Sequence, residues 1–319
     1  MRTGGAQAGP MADGHGAGGH GAGTDERQVR DELMPVLALV CAEVGMDHAG
    51  ATLLRYIRNA VFRLAAHPVV VRIALAPTVR DRAPKVVAVA RWLASHDVPA
   101  VRLLDGFEQP VLAGEHVATF WHDVPEVGPP PTGGDLAGLL RRVHELPAPA
   151  DPLPAWQPMT TVRAALAEAT AIPLADLDFL QHRCDAVEAS LAGLSYELPA
   201  GPIHGDAWLG NLLAGPDGPV LCDFDSTCTG PREWDLTPMA VGRLRQGFAP
   251  QVYADFAAGY GYDIIRWTGF DVLRQVRELK RVTGPLRILD GNAVARAEFA
   301  HRLRTLRTDD HEARWLPYR

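Results

Sequence analysis

The sequence lacks the features of a membrane-bound or exported protein. No stretch approaches the run of about 18 apolar residues that a membrane-spanning helix needs, since even the apolar run of residues 33–44 is interrupted by Pro35 and Glu43. The N-terminal residues also lack the apolar centre of a secretory signal. We therefore expect a protein with no membrane partner, located in the cytoplasm.

The sequence also has no closely paired cysteines and no surplus of basic residues, and lysine is scarce. With 31 basic and 38 acidic residues, the formal net charge is -7, which argues against a general nucleic-acid-binding protein. Lys85 and Lys280 are the only lysines. No Cys-x-x-Cys pair and no His/Cys cluster at metal-site spacing occurs, so we expect reduced thiols. The cysteines are Cys41, Cys184, Cys222 and Cys228.

The N-terminal part of the chain alternates between an apolar-poor tail, helices and short strands. Residues 1–24 are rich in Gly, Ala and polar residues and predict a disordered tail. Apolar residues at helical spacing predict helices at 25–43 and about 81–96. Short segments rich in β-branched and aromatic residues predict five strands, of which the first three form an antiparallel meander. They span 53–57, 60–65, 69–75, 100–107 and 114–121.

A proline-rich stretch at 124–134 predicts a hinge, because prolines at this density forbid helix and stiffen an extended connection. We expect an N-terminal lobe over 25–121 and a mainly helical C-terminal lobe over 122–319. The predicted helices span 134–146, 160–170, 176–194, 235–246, 250–259, 270–282 and 291–308. Two predicted strands, 201–204 and 219–224, flank a polar loop and interrupt this helical run.

The polar loop carries Asp206 and Asn211, and Asp223 follows at the end of the next strand. A strand-loop-strand hairpin would bring the three side chains to one end of a sheet. Phosphoryl transfer requires oxygen ligands for Mg²⁺ and a carboxylate that orients or deprotonates the attacking hydroxyl. Asn211 and Asp223 offer the ligands and Asp206 offers the carboxylate.

The motif His-Gly-Asp-x4-Asn, followed by Asp-Phe-Asp and Gly-Pro-x-x-Trp-Asp-Leu, resembles the catalytic core of the aminoglycoside phosphotransferase and choline kinase superfamily. The resemblance implies a two-lobed, protein-kinase-like α+β fold with an antiparallel sheet in the N-terminal lobe. It implies that Asp206 acts on the hydroxyl and that Asn211 and Asp223 hold Mg²⁺. His204 would anchor the catalytic loop.

The same resemblance assigns two further carboxylates. Asp235 would accept hydrogen bonds from the backbone of the catalytic loop, and Asp225 would lie near the metal with an undefined role. Ordinary capping of a strand or helix end is the alternative for both. His144, in a helix that resembles the one after the family's hinge, is expected to be a packed histidine.

The nucleotide site departs from the family pattern. Arg72 stands where the third strand normally provides a lysine, and Val86 or Val87 stands where the next helix provides its glutamate partner. An arginine clamps phosphates through a planar fork and is not equivalent to lysine. Asn59 and Trp121 complete the expected site.

Lys85 and Arg63 are candidates for the missing phosphate-binding cation. The alternative, which we favour from the sequence, is that both are solvated charges.

The sequence says less about the identity of the acceptor than about the type of reaction. Residues 264–319 contain twelve basic and seven acidic residues, which disfavours a polycationic aminoglycoside and favours a neutral or anionic hydroxyl compound. Solvated helix faces are the alternative explanation of this charge. If the acceptor were a cation, Asp255, Asp263 and Asp271 would be its candidate partners.

These observations predict transfer of the γ-phosphoryl group from Mg-ATP or Mg-GTP to a hydroxyl of an antibiotic, sugar, nucleoside or amino alcohol, by a monomer or homodimer. One rival is a pseudokinase that binds nucleotide or acts as a scaffold without turnover. A protein kinase is disfavoured, because Asp-Phe-Asp runs directly into Gly-Pro-Arg-Glu-Trp-Asp-Leu and leaves no room for a long activation segment.

Overall fold

The computed structural model describes residues 26–318, so the tail predicted for residues 1–24 lies outside the described residues. The N-terminal part contains helix α1 (Glu26–Glu43), a five-stranded antiparallel sheet and helices α2 (Pro77–Arg80) and α3 (Ala83–Ser95). The strands are β1 (Thr52–Tyr56), β2 (Asn59–Arg63), β3 (Val69–Ala74), β4 (Val111–Ala113) and β5 (His116–His122), in the order β1-β2-β3-β5-β4. This confirms the predicted meander.

Side-chain alternation gives the sheet one core face and one cleft face. Val71 and Ile73 are fully buried against Phe62 and Phe120, and α1 contributes Leu37 to this cluster. The intervening residues of β3 point to the opposite face. There Arg72 pairs in register with Thr119, and Val70 with Trp121. The period of two therefore places Arg72 and Trp121 together on the face that looks into the cleft.

The strand predicted at 100–107 is wrong. This segment crosses between two sheets and makes only isolated bridges, from Ala100 to Leu221 and from Leu103 to Trp121. Because each end bonds to a different partner, no continuous ladder forms. The sheet is completed instead by β4, which follows this segment in the chain.

The C-terminal part is mainly helical, as predicted, and each predicted helix is present within a few residues of its expected ends. The helices are α4 (Gly133–Glu145), α5 (Thr160–Ala167), α6 (Leu174–Ala192), α7 (Glu233–Arg245), α8 (Pro250–Tyr260), α9 (Phe270–Thr283) and α10 (Ala293–Thr308). The α4 helix begins with a capping box, in which Thr132 and Asp135 bond to each other's backbone N–H. Across residues 26–318, no helix combines the length and apolar character needed to cross a bilayer.

The strands around the polar loop pair differently from the prediction. Strand β6 (Gly201–Ile203) pairs with β9 (Cys228–Gly230), and β7 (Leu212–Gly215) pairs with β8 (Gly218–Leu221). The expected pairing of 201–204 with 219–224 is therefore wrong. The tight turn from Gly215 to Gly218 closes a separate hairpin, and this hairpin lies between the polar loop and the Asp-Phe-Asp segment.

Candidate active site

The buried carboxylate of Asp235 holds the polar loop that carries Asp206 and Asn211, which is called the catalytic loop from here on. Its Oδ2 accepts the backbone N–H of His204 at 2.6 Å, and its Oδ1 accepts that of Gly205 at 2.7 Å. His144 Nε2 lies 3.0 Å from Oδ2, and this histidine is itself buried. These are the backbone contacts that the resemblance implies for Asp235. The Asp235 carboxylate of α7 thus joins α4 to the catalytic loop, and these contacts fix the position of the loop.

Gly205 is required at the tightest point of the loop. Its φ of +85° lies in the left-handed region, and a Cβ at this position would stand 2.1 Å from the carbonyl oxygen of Ser226. Trp234 Nε1 donates to the Gly205 carbonyl at 2.8 Å. The loop therefore packs directly on the Asp-Phe-Asp segment, with the indole of Trp234 beneath it.

His204 lies beneath the cavity and is not part of its lining. Its Nε2 is 2.9 Å from the carbonyl oxygen of Cys222, and its Nδ1 is 3.3 Å from the backbone N of Asp206. A proton on Nε2 satisfies both contacts, because Nδ1 then accepts the Asp206 N–H. This geometry suits a residue that positions Asp206 and does not itself touch a substrate.

Asp206 and Asn211 lie near the two ends of the loop, and a hydrogen bond from the Asn211 side chain to the Asp206 backbone links them. Asn211 Nδ2 donates to the carbonyl oxygen of Asp206 at 2.8 Å. The Asp206 carboxylate faces a cavity of about 620 Å³ between the two lobes. Arg277, a buried side chain of α9, donates through Nη2 to Asp206 Oδ1.

Asp223 and Asp225 enter the same cavity from the turn that follows β8. Asp223 adopts a left-handed conformation with a φ of 66°. Burial, and then the charge of Asp225, raises the pKa of Asp223 to about 6. Burial opposes ionisation of Asp225 too, but Arg72, Asp223 and Lys85 together outweigh burial and lower the pKa of Asp225.

Arg72 reaches across the cleft to this segment. Its Nη2 donates to Asp225 Oδ2. The Asn59 amide is best satisfied with its oxygen toward the same guanidinium, 2.7 Å from Nη2. Two of the residues predicted for the nucleotide site, Arg72 and Asn59, are thus brought into contact with each other.

Lys85 is not a solvated charge, and this expectation is wrong. It is half-buried at the start of α3, and its Nζ donates to the carbonyl oxygens of Asp225 at 2.6 Å and Thr227 at 3.0 Å. Burial, and then the nearby Arg82, lowers the pKa of Lys85 to about 8. Arg63, the other candidate, forms an ion pair with Asp123 at 3.0 Å and also lines the cavity.

Val86 and Val87 are buried in the core, so no lysine–glutamate pair links β3 to α3. Arg72 of β3 and Lys85 of α3 instead both bond to Asp225 of the Asp-Phe-Asp segment. Trp121 lies at the hinge end of the cavity, with its ring centroid 6.4 Å from that of Phe224. Val70 pairs in register with Trp121 and lines the cavity beside it.

A family model described as the phosphotransferase enzyme family matches residues 53–279, which is well over half of the chain. The chain belongs to this family. The resemblance predicted from the loop motif is thereby confirmed. No curated protein sequence matches the chain.

Solved structures share the fold of this phosphotransferase at low identity. Amicoumacin kinase hAmiN, solved with AMP-PNP, Ca²⁺ and Ami, gives a TM-score of 0.65 at 13% identity over 91% of this chain and 95% of that chain. A choline/ethanolamine kinase family protein from Mesorhizobium loti gives 0.62 at 16% identity over 88% and 94%. Spectinomycin phosphotransferase APH(9)-Ia, solved with ADP and spectinomycin, gives 0.58 at 16% identity over 86% and 93%. These likenesses confirm the two-lobed, protein-kinase-like α+β fold.

The phosphotransferase residues expected to hold Mg²⁺ fit that ion. Among residues 26–318, no group of three or more His, Cys, Asp or Glu side chains is arranged to hold a metal. Mg²⁺ commonly uses one or two carboxylates together with substrate phosphates, and so needs no full protein cage. Asp225 Oδ1 is buried without a hydrogen-bond partner in the described part of the chain. A cation held by Asp223 and Asn211 would offset the charge of these adjacent buried carboxylates.

The C-terminal part of the phosphotransferase chain contributes cavity-lining residues that the sequence motif did not single out. They come from α9 and the segments after it, and they are Lys280, Arg281, Gly284, Pro285, Ile288, Arg302, Pro317 and Tyr318. Arg277, which binds Asp206, also comes from α9. One sequence feature could have pointed to this part of the cavity. Arg277, Lys280 and Arg281 lie within five residues of one amphipathic helix.

The carboxylates predicted to receive a cationic acceptor do not line the cavity. Asp255 accepts a hydrogen bond from Gln251, and Asp263 accepts one from Tyr253. Asp271 forms an ion pair with Arg274.

Proposed function

We propose that this small-molecule phosphotransferase transfers the γ-phosphoryl group of Mg-ATP or Mg-GTP to a hydroxyl group of its acceptor. The observation that carries the proposal is that Asp206 and Asp223 line one cavity, with Asn211 hydrogen-bonded to the backbone of Asp206. The acceptor oxygen forms a bond to the γ-phosphorus while the bond from phosphorus to the β-phosphate oxygen breaks. The proton of the hydroxyl passes to Asp206.

Each residue of the site has a distinct part in this proposal. Asp206 faces the cavity and is oriented by the loop and by Arg277, so it is placed to hold the attacking hydroxyl. Asn211 and Asp223 hold Mg²⁺, which offsets the charge of the phosphates when it is bound. Arg72, which lines the cavity, binds the phosphate oxygens from the N-terminal lobe, and Lys85 holds the Asp-Phe-Asp segment in place.

The proposal requires Arg72 to bind a phosphate while it remains paired with Asp225. Its guanidinium is paired with Asp225, and a guanidinium carries five N–H donors in a planar fork, enough to serve a carboxylate and a phosphate together. The base of the nucleotide packs against the apolar part of the cavity lining that Val70 and Trp121 form. Asn59 keeps Arg72 oriented toward the phosphates.

A pseudokinase is the rival from a different class. The observation in its favour is the absence of the lysine–glutamate pair between β3 and α3. Against it stands Lys85, a half-buried cation that joins α3 to the Asp-Phe-Asp segment from another position. A protein kinase is disfavoured because only a short segment, ending at α7, follows Asp225.

Calorimetric titration of Mg-ATP and Mg-GTP into the wild type and into Asp223→Ala tests the nucleotide site. We expect saturable, Mg²⁺-dependent binding of one nucleotide, and at least tenfold weaker binding to the variant. Asp217→Ala is the matched control, because Asp217 is exposed in the turn after β7, outside the cavity lining. Equal binding to wild type and Asp223→Ala would contradict the metal assignment.

Transfer of ³²P from the γ-labelled nucleotide to a library of hydroxyl compounds tests turnover. Transfer by the wild type would support the kinase function. Nucleotide binding without any transfer would favour the pseudokinase.

A further inference from the structure

Lys280 is a half-buried cation that lines the cavity and forms no ion pair in the described part of the chain. Within residues 26–318, no hydrogen bond or ion pair involves its ammonium group, and its partner is the ring of Trp234, 5.4 Å from Nζ. The side chain lines the cavity. A desolvated ammonium group that faces a cavity is satisfied when an anion enters that cavity.

The neighbouring cations are engaged with partners of the protein. Arg277, one turn earlier on α9, is paired with Asp206. Arg302 is paired with Glu298 at 2.7 Å and also donates to the backbone. Lys280 therefore differs from the arginines that surround it, because its charge is left for a ligand.

The cavity wall on this side carries positive charge alone. Among the lining residues that follow Asp225 in the described chain, Lys280, Arg281 and Arg302 are cationic and no residue is a carboxylate. A cationic acceptor would find no carboxylate there except Asp206 itself, which the reaction uses. Charge complementarity therefore excludes an ammonium group from this wall and favours an anionic one.

The electrostatic surroundings of Lys280 agree with this picture. Burial, and then Arg277, lowers the pKa of Lys280 to about 8, and Arg82 acts in the same direction. Asp206 and the thiol of Cys228 act in the opposite direction but do not compensate. The ammonium group is thus charged at neutral pH but poorly stabilised by the protein.

We propose that Lys280 and Arg281 bind an anionic group of the acceptor, a carboxylate or a phosphate, while Asp206 holds the acceptor's hydroxyl. This inference rests on the proposed function and narrows its substrate class to anionic hydroxyl compounds. The nucleotide phosphates are the other source of the same chemistry. The structure favours the acceptor, because Lys280 lies one turn after Arg277, whose guanidinium binds Asp206. Arg72, by contrast, binds Asp225.

The first experiment divides a library of hydroxyl compounds into anionic, neutral and cationic pools by ion exchange. Each pool is incubated with the wild type and the γ-³²P-labelled nucleotide in the presence of Mg²⁺. We expect labelled product from the anionic pool. Transfer confined to neutral or cationic compounds overturns the inference but leaves the proposed function intact. No transfer from any pool, despite Mg²⁺-dependent nucleotide binding, overturns the proposed function and the inference with it.

The second experiment compares Lys280→Gln, Lys280→Arg and the wild type on the labelled acceptor. Loss of a hydrogen bond to a charged group predicts a ten- to hundredfold higher KM for the acceptor in Lys280→Gln, with a less than twofold change in nucleotide affinity. Lys280→Arg retains the charge and recovers most of the affinity. Arg266→Gln, which removes an exposed charge outside the cavity, leaves both constants unchanged.

Two outcomes of the second experiment contradict the inference. An equal loss of nucleotide and acceptor affinity in Lys280→Gln assigns Lys280 to the nucleotide phosphates. An unchanged acceptor KM shows that Lys280 binds no part of the acceptor. Urea unfolding midpoints of all variants are measured alongside. If Lys280→Gln is unstable, Arg281→Gln, at the other proposed contact in the cavity lining, carries the test, and an unchanged acceptor KM in that variant contradicts the inference.

Discussion

Replacing Asp235 with alanine removes the contact that organises the catalytic loop. The carboxylate accepts the N–H groups of His204 and Gly205 and contacts His144, and all of these groups are buried. A hydrogen bond to a charged group contributes about 1.5–3 kcal/mol, and the contributions of neighbouring bonds do not add fully. Buried donors left without a partner raise the cost further. We expect Asp235→Ala to lower the free energy of unfolding by about 3–5 kcal/mol.

Urea unfolding followed by tryptophan fluorescence measures this change, because Trp234 packs directly beneath the loop. The matched control is Asp255→Ala, which removes an exposed carboxylate from the same lobe and is expected to change stability by less than about 0.5 kcal/mol. Asp235→Asn keeps the shape of the side chain but loses the charge, so it should fall between the two. A loss below about 1 kcal/mol in Asp235→Ala would refute the reasoning.

Three further predictions concern the loop, the nucleotide site and the acceptor site. Gly205→Ala should cost about 2 kcal/mol or more in urea unfolding, because its Cβ meets the Ser226 carbonyl at positive φ; unchanged stability would contradict the loop geometry. Arg72→Met should raise the nucleotide KM about tenfold or more, and Arg72→Lys less, since lysine keeps a single donor group on Asp225 and the phosphates. The acceptor KM of the wild type should rise as pH increases through about 8, where Lys280 loses its charge, and should stay level in Lys280→Arg; identical pH profiles would contradict an anionic acceptor.

Local patterns were sufficient to predict most elements of the fold. The β-branched composition of residues 69–75 identified β3, and helical spacing identified α9 and α10. The segment at 100–107 has the composition of a strand, but its hydrogen bonds go to two different sheets. Composition records propensity and does not record partners, so this error could not be detected from the sequence.

The site was predictable where its chemistry lies in one short segment. Asp206, Asn211 and Asp223 are close in sequence and have a recognisable spacing. The roles of Lys85 and Lys280 depend on contacts with segments far away in the chain. Lys85 bonds to residues 140 and 142 positions later, and no local pattern distinguishes such a lysine from a solvated one.

The most direct test of the central claim is single-turnover transfer of ³²P from the γ-labelled nucleotide to an acceptor by wild type, Asp206→Asn and the control Asp217→Asn. The account predicts that Asp206→Asn binds Mg-nucleotide normally but transfers phosphate about 10²–10⁴ times more slowly, the range expected for loss of a general base. Asp217→Asn should match the wild type. Transfer by Asp206→Asn at the wild-type rate would contradict the assignment of Asp206 and, with it, the proposed mechanism.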